Sequence, residues 1–221
     1  MADGRPAKGS ESARAVILNR IRDALADHPT PPEVARTYRQ DAESETDVVA
    51  LFAERAADYR ATVEIVGPSD LPAAIAAAIH AHGARRIAVP ADLRADWFDG
   101  VQDSDGPDIT WLRDDPPLSV ADLDSADGVV TAAALAIALT GTIVLDTGPG
   151  QGRRVLSLLP DLHVCVVRSD QIAATVPEAL GRLDGRRPQT WISGPSATSD
   201  IELNRIEGVH GPRNLHIIVV R

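Results

Sequence analysis

The chain has 221 residues, 44% of them hydrophobic but only 3% aromatic, with a formal net charge of -10. That length suits one large domain, or one domain with an added arm, and the scarcity of rings leaves the core to Ala, Val, Leu and Ile. The acidic balance argues against nonspecific nucleic-acid binding, which needs clustered Lys and Arg to displace counterions, and against docking on an anionic membrane surface. A single cysteine, Cys165, makes no internal disulfide and does not by itself ligate an iron–sulfur cluster, which takes about four thiolates. The N-terminal residues Met1–Ser10 are polar, without the apolar stretch of a signal peptide, and no segment approaches the roughly 20 apolar residues of a membrane helix. A cytoplasmic protein with no cofactor of its own is expected.

Residues 1–11 have the composition of a disordered tail. Ala13–Ala26 reads as an amphipathic helix with Val16, Ile17, Ile21, Ala24 and Leu25 on one face, stopped by the prolines from Pro29 to Pro32. A second helix is predicted over Glu45–Tyr59, where Val48, Phe52, Ala56 and Tyr59 recur at helical spacing. The two helices form an N-terminal arm over residues 12–61.

From Thr62 onward strands and helices alternate. Strands are predicted at Val63–Val66, Arg86–Val89, Ile109–Leu112, Gly128–Val130, Thr142–Leu145, His163–Val167, Thr190–Ile192 and Leu215–Val220. Between them, Ser69 caps a helix carrying Leu71, Ile75 and Ile79, with Gly83 as its stop, and Asp92–Asp99 reads as a short helix. Thr131 is placed as the cap of a helix over Ala132–Leu139. Continuous Val/Ile-rich runs fit strands covered on both faces, so the fold expected is α/β, an open and mostly parallel sheet with helices on both sides. Two strands within Thr142–Val167 are joined without a helix, which predicts locally antiparallel or mixed pairing there.

Four segments are candidates for chemistry. Thr140-Gly141-Thr142 is either a small-residue turn offering N–H groups and hydroxyls to a ligand, or a helix stop followed by a β-forming threonine. The glycine-rich loop Gly148–Gly152 matches neither a Walker loop nor a dinucleotide fingerprint; Arg153 and Arg154 behind it either hold an anion or flank a mobile connection. Ser193–Glu202 follows a strand and opens a short helix that Gly208 ends. A helix N-terminus beyond a strand suits an anion, but Ser199-Asp200-Ile201-Glu202 also reads as a capping box that uses those donors itself. In Gly208-Val209-His210-Gly211-Pro212, His210 is either a titratable acid–base group or a surface-turn histidine. His163 and His216, in apolar strand patterns, read as structural, and Cys165 as a small buried hydrophobe. No His, Cys and carboxylate spacing points to a metal.

Taken in order, Thr140-Gly141-Thr142, Leu159-Pro160 with His163, Gly194-Pro195-Ser196-x-Thr198-x-Asp200-Ile201-Glu202 and Gly208-Val209-His210-Gly211-Pro212 resemble the LUD-domain family, in its lactate utilization C type. The resemblance is closest from about Gly128 to Val220. It implies a three-layer α/β/α domain over residues 62–221, similar to the NagB/RpiA/CoA-transferase-like fold. It also implies a part in the oxidation of L-lactate to pyruvate alongside iron–sulfur partner proteins. The chain departs from the family pattern at Leu139, where many members carry Glu before Thr-Gly-Thr.

The candidate site residues are His210 and Asp200 as catalytic groups. Thr140, Gly141, Thr142, Gly194, Ser196, Thr198 and Gly211 are the candidates for ligand binding. Three functions stay open: a non-redox component of a lactate-oxidising system, a stand-alone enzyme on a small anionic metabolite, and a ligand-sensing regulatory module.

Overall fold

The computed structural model describes residues 12–28, 30, 32–35, 47–98, 101, 107–198, 206–207 and 210–221. Residues 1–37 and 38–221 are two separate compact units. In the first, helix α1 spans Ala13–Ala24 and is capped by Ser12, whose side chain accepts from the Ala15 N–H at 3.3 Å. Its apolar stripe, Ile17 and Ile21 with Leu25 just beyond, is exposed. The expected disordered tail, residues 1–11, lies outside the described residues.

The second unit is an α/β body. Helix α2 (Val48–Asp58) starts at Asp47, whose carboxylate accepts from the N–H groups of Val49 and Ala50. The sequence groups α2 with α1, but α2 packs on the sheet, with Val49, Phe52 and Ala56 buried. Strand β1 (Thr62–Val66) leads through a 3-10 turn into α3 (Leu71–Ala81), followed by β2 (Arg86–Val89), β3 (Thr110–Arg113), α4 (Val120–Asp124) and β4 (Gly128–Ala132). The short helix expected at Asp92–Asp99 is a 3-10 turn over Ala95–Phe98.

Next come β5 (Leu135–Ile137), β6 (Thr142–Leu145), β7 (Leu162–Arg168), β8 (Ile172–Ala173), α5 (Val176–Arg182) and β9 (Thr190–Ile192). The short strands β10 (Ala197–Thr198) and β11 (Ile206–Glu207), then β12 (Asn214–Val220), complete the chain.

The main sheet has six strands in the order β1-β12-β7-β4-β2-β3, every pair parallel. The central strands β7 and β12 are buried on both faces, which is why they read as unbroken Val/Ile runs rather than alternating ones. Helix α3 covers one face, packing Ile75 and Ile79 against Ile87, Val130, Val164 and Ile218. The other face is covered in two parts. Phe52 and Ala56 of α2 meet Cys165, Ile217 and Val219 together with Ile143, while Leu123 of α4 meets Val129 and Leu156.

A second, four-stranded sheet lies in that same layer, in the order β8-β5-β6-β9. Here β6 runs antiparallel to both β5 and β9, and β5 runs parallel to β8. The mixed pairing expected between Thr142 and Val167 is therefore the boundary between two sheets, since β6 and β7 never pair.

The helix expected over Ala132–Leu139 is not formed. Residues 128–132 are β4 and residues 135–137 are β5. The alanines favour a helix locally, but Leu135 and Ile137 alternate with Ala136. The two larger side chains enter the cluster under α5, with Val144 and Ala179, while Ala136 faces α2 and β6. A segment buried on both sides with this period of two takes the extended form.

Candidate functional site

The glycine-rich stretch after β6 is held by side-chain hydrogen bonds. The Asp146 N–H donates to Gln151 Oε1 at 2.6 Å and Gln151 Nε2 donates back to Asp146 Oδ1 at 3.0 Å. Arg187 Nη1 donates to Asp146 Oδ2 at 2.7 Å, and the Gly150 N–H to Asp92 at 3.0 Å. Arg153 Nε and Nη2 donate to the two oxygens of buried Asp114, each at 2.7 Å. Burial alone raises the Asp114 carboxyl, but the Arg153 hydrogen bonds, the Leu118 N–H and the Arg153 charge outweigh it and hold the group below the usual range. Arg153 is therefore committed to the fold.

Replacing Arg153 with alanine strands that buried carboxylate. The expected loss is about 2 kcal/mol in urea unfolding at neutral pH, less than for a fully buried pair because the guanidinium is nearly half exposed.

Arg154, one residue on, has a different setting. It begins the 3-10 turn Arg154–Ser157, and its Nη1 donates to Ser157 Oγ at 3.3 Å. It lines a cavity of about 260 Å³ together with Ser157, His163, Thr190–Ala197, His210–Pro212 and Leu215. The turn packs Leu156 under α4 and so carries Ser157, itself buried, to the cavity.

His163, in the second position of β7, is 1% exposed and bonded through Nε2 to Thr131 Oγ1 at 2.8 Å. Its Nδ1 has no partner among the described residues. Burial, aided by the Arg154 charge, pushes its pKa down to about 4, so it is neutral near physiological pH. Cys165, two residues along, is buried with its thiol pushed up to about 12 by burial, an inert core group.

Two of the segments singled out in the sequence meet at the mouth of this cavity. The Ser196 N–H donates to the Pro212 carbonyl at 2.8 Å, and the His210 N–H donates to Ser196 Oγ at 2.9 Å. Gly194, Ser196, His210 and Gly211 therefore share one wall, and Ser196 fixes the His210 backbone while the imidazole is exposed. Thr140, Gly141 and Thr142 do not line the cavity. They stand behind it, with Thr142 Oγ1 within 2.7 Å of Thr140 Oγ1 and 2.8 Å of Ser193 Oγ, which does line it.

Gly141 (φ 57°) and Gly194 (φ 81°) turn their Cα atoms toward the end of α2. A Cβ on Gly141 would lie 2.5 Å from the Ala56 nitrogen, and one on Gly194 would lie 2.5 Å from the Tyr59 carbonyl oxygen. Leu139, just before Thr140, is half exposed.

Thr198 is in β10, and Asp200 lies outside the described residues, as does the capping box Ser199–Glu202. The helix expected to run to Gly208 does not reach that point, because Ile206–Glu207 is a strand paired antiparallel with Ala197–Thr198. The cavity follows the C-terminal end of β9 but sits at the N-terminal ends of β7 and β12, where His163 and Leu215 are the second residues. Ligand sites of open α/β sheets usually take the opposite edge. Here the second sheet and its loops build walls at the N-terminal edge.

The α/β fold together with the order of these motifs is that of a LUD-domain protein, and the chain belongs to that family. The LUD domain family matches residues 117–220, the span that carries every residue lining the cavity. The chain is 48% identical over 202 residues to lactate utilization protein C of Deinococcus radiodurans, covering 90% of this chain and 87% of that protein. It is 28% identical over 185 residues to lactate utilization protein C of Shouchella clausii, covering 80% of each. The crystal structure of a DUF162 family protein from Deinococcus radiodurans matches with a TM-score of 0.67 and 44% identity, over 81% of this chain and 100% of that one.

Ser157 and His163 were not among the candidate site residues, and Arg154 was singled out only jointly with Arg153, as an anion holder in one of two readings. The signals were present, as an arginine pair after a glycine loop and as the histidine of Leu159-Pro160-x-x-His163. Sequence offered no means of telling which arginine already had a carboxylate.

Proposed function

We propose that this chain serves L-lactate utilisation in the cytoplasm, as a component that carries no redox centre and works beside iron–sulfur partner proteins that oxidise L-lactate to pyruvate. The observation that carries this reading is the 48% identity to lactate utilization protein C of Deinococcus radiodurans across 90% of this chain. The lone, buried Cys165 supports it, since the chain supplies no thiolate set for a cluster. Among the described residues no helix is long and apolar enough to cross a membrane.

Within this reading the cavity is the working site. His210 moves a proton, with Asp200 to orient it or act as a base, and Ser196, Thr198 and Gly211 contact the ligand. Thr140, Gly141, Thr142 and Gly194 hold the wall in place.

Lactate-dependent dye reduction, measured with the flanking iron–sulfur proteins present and this chain added back, tests the reading. Omitting the chain removes the activity. Ser196→Ala and His210→Ala lower it by about tenfold or more with melting temperature unchanged. Full activity without the chain sinks the functional reading, and full activity in both variants sinks the cavity as its site.

A further inference from the structure

A second cavity, of about 290 Å³, lies at the other end of the two central strands. The first takes His163 and Leu215 near the start of β7 and β12. This one takes Val166, Arg168 and Val220 near their finish, about 16 Å further along the strands. The two cavities share no lining residue. The place of the second follows from the connections around it. After β1 the chain turns through Pro68 into α3, on one face of the sheet. After β7 it turns into β8, whose Ile172 packs with α2 on the other face. Connections that part in this way open a crevice beyond the C-terminal ends of parallel strands, where α/β sheets usually take ligands.

The cavity has an apolar base and a charged rim. Val166, Val220 and Leu71 make the base, and Trp97 stands beside them, partly buried against the same core cluster. The segment that carries Trp97 is fixed at both ends. Asp92 accepts the Gly150 N–H at 3.0 Å, and Phe98 packs on Trp111 of β3 with ring centroids 4.3 Å apart. The rim holds Arg94 from that segment and Arg168 from the end of β7. Arg94 Nε donates to Asp96 and Arg168 Nε to Asp170, each at 3.0 Å. Both guanidiniums are more than half exposed, and ion pairs so open to water are worth little, so neither arginine is committed to the fold.

We propose that this crevice binds a nucleoside monophosphate, with the base against Trp97 and the phosphate at Arg94 and Arg168. A flat ring packs on the indole and on the apolar base together, and such stacking asks for no particular base edge. Two guanidiniums on one cavity supply the paired donors that phosphate oxygens take. Asp96, also in the lining, keeps lone pairs beyond those that Arg94 uses and accepts from a ribose hydroxyl. Inorganic phosphate leaves the indole and the apolar base uncovered, and a nucleoside leaves the arginines to their aspartates. Only the joined molecule uses both halves of the crevice.

Isothermal titration of the full chain with AMP, UMP, adenosine and inorganic phosphate tests the assignment. AMP or UMP is expected to bind about tenfold or more tightly than adenosine or phosphate. Trp97→Ala and Arg168→Gln are each expected to weaken nucleotide binding by about tenfold or more. Arg154→Gln, in the first cavity, leaves it unchanged. If Trp97→Ala fails to fold, Arg168→Gln and the comparison of the four probes on the unaltered chain still decide the matter, because the Arg168 side chain is exposed.

No nucleotide binding at millimolar concentration overturns the proposal. So does adenosine or phosphate binding as tightly as the nucleotides, or nucleotide binding that survives Arg168→Gln intact. Loss of binding in Arg154→Gln overturns it as well, by placing the nucleotide in the first cavity. All of these readouts use this chain alone, so they stand apart from the dye-reduction test of the role in lactate oxidation.

Discussion

Gly141→Ala is expected to destabilise the α/β body by about 3 kcal/mol or more. Two penalties add. The backbone at Gly141 has φ 57°, a left-handed conformation that costs a residue with a Cβ about 1–2 kcal/mol. The new Cβ would then lie 2.5 Å from both the Ala56 nitrogen and the Arg55 carbonyl carbon, backbone atoms of α2 with no rotamer to escape into. Relief requires α2 to move, and α2 seats Phe52 and Ala56 against Cys165, Ile217 and Val219. Because Thr142 bonds Ser193 behind the cavity, the same movement reaches the wall that carries Gly194 and Ser196. Chemical unfolding of the variant measures the loss, and a change below about 1 kcal/mol would show that α2 yields easily.

Acid is expected to weaken the fold well before the carboxylates titrate. His163 is neutral in the folded protein down to about pH 4, whereas in the unfolded chain it takes up a proton near pH 6.5. A folded pKa below the unfolded one means that stability is complete above about pH 6.5. It is lost as pH falls toward the folded value, by up to roughly 1.4 kcal/mol per pH unit and on the order of 3 kcal/mol in all. His216, also lowered by burial and only partly compensated by Glu64 at 3.7 Å, adds in the same direction. Asp114, whose pKa is lowered, loses its contribution only at still lower pH. Urea midpoints compared at pH 7.5 and pH 4.5 test this. The unaltered chain loses markedly more than His163→Gln over that interval. Equal losses in the two would remove His163 as the cause.

The periodicity of the chain was sufficient for most of the main sheet. Runs such as His163–Val167 and Leu215–Val220 are apolar without alternation because both faces of β7 and β12 are buried, and that condition is written into residue type. The small residues of Gly194–Ser196 and of His210–Pro212 share one wall of the cavity, and Gly194 also packs on the Tyr59 carbonyl, where a Cβ would clash. Where sequence reasoning failed, the competing signal was weak and the decisive contact distant. At Ala132–Leu139 the alanines spoke for a helix, and only the alternation of Leu135, Ile137 and Leu139 with Ala spoke for a strand. What settles it is burial between α2 and α5, elements 70 to 90 positions upstream and about 40 positions downstream.

Charge pairing is the clearest case of a property that only tertiary structure decides. Arg153 and Arg154 are adjacent and chemically identical. Yet Asp114, 39 residues away, neutralises the first, while the second turns into the cavity. The edge of the sheet that carries the site is another such property, set by a second sheet whose strands β5, β6, β8 and β9 lie on either side of β7 in the chain. Local sequence determines strands where the apolar run is Val/Ile-rich, as in β7 and β12, but not where alanines dominate, as in β5. Long-range packing determines which polar groups are left without partners among the described residues, as at His163 Nδ1.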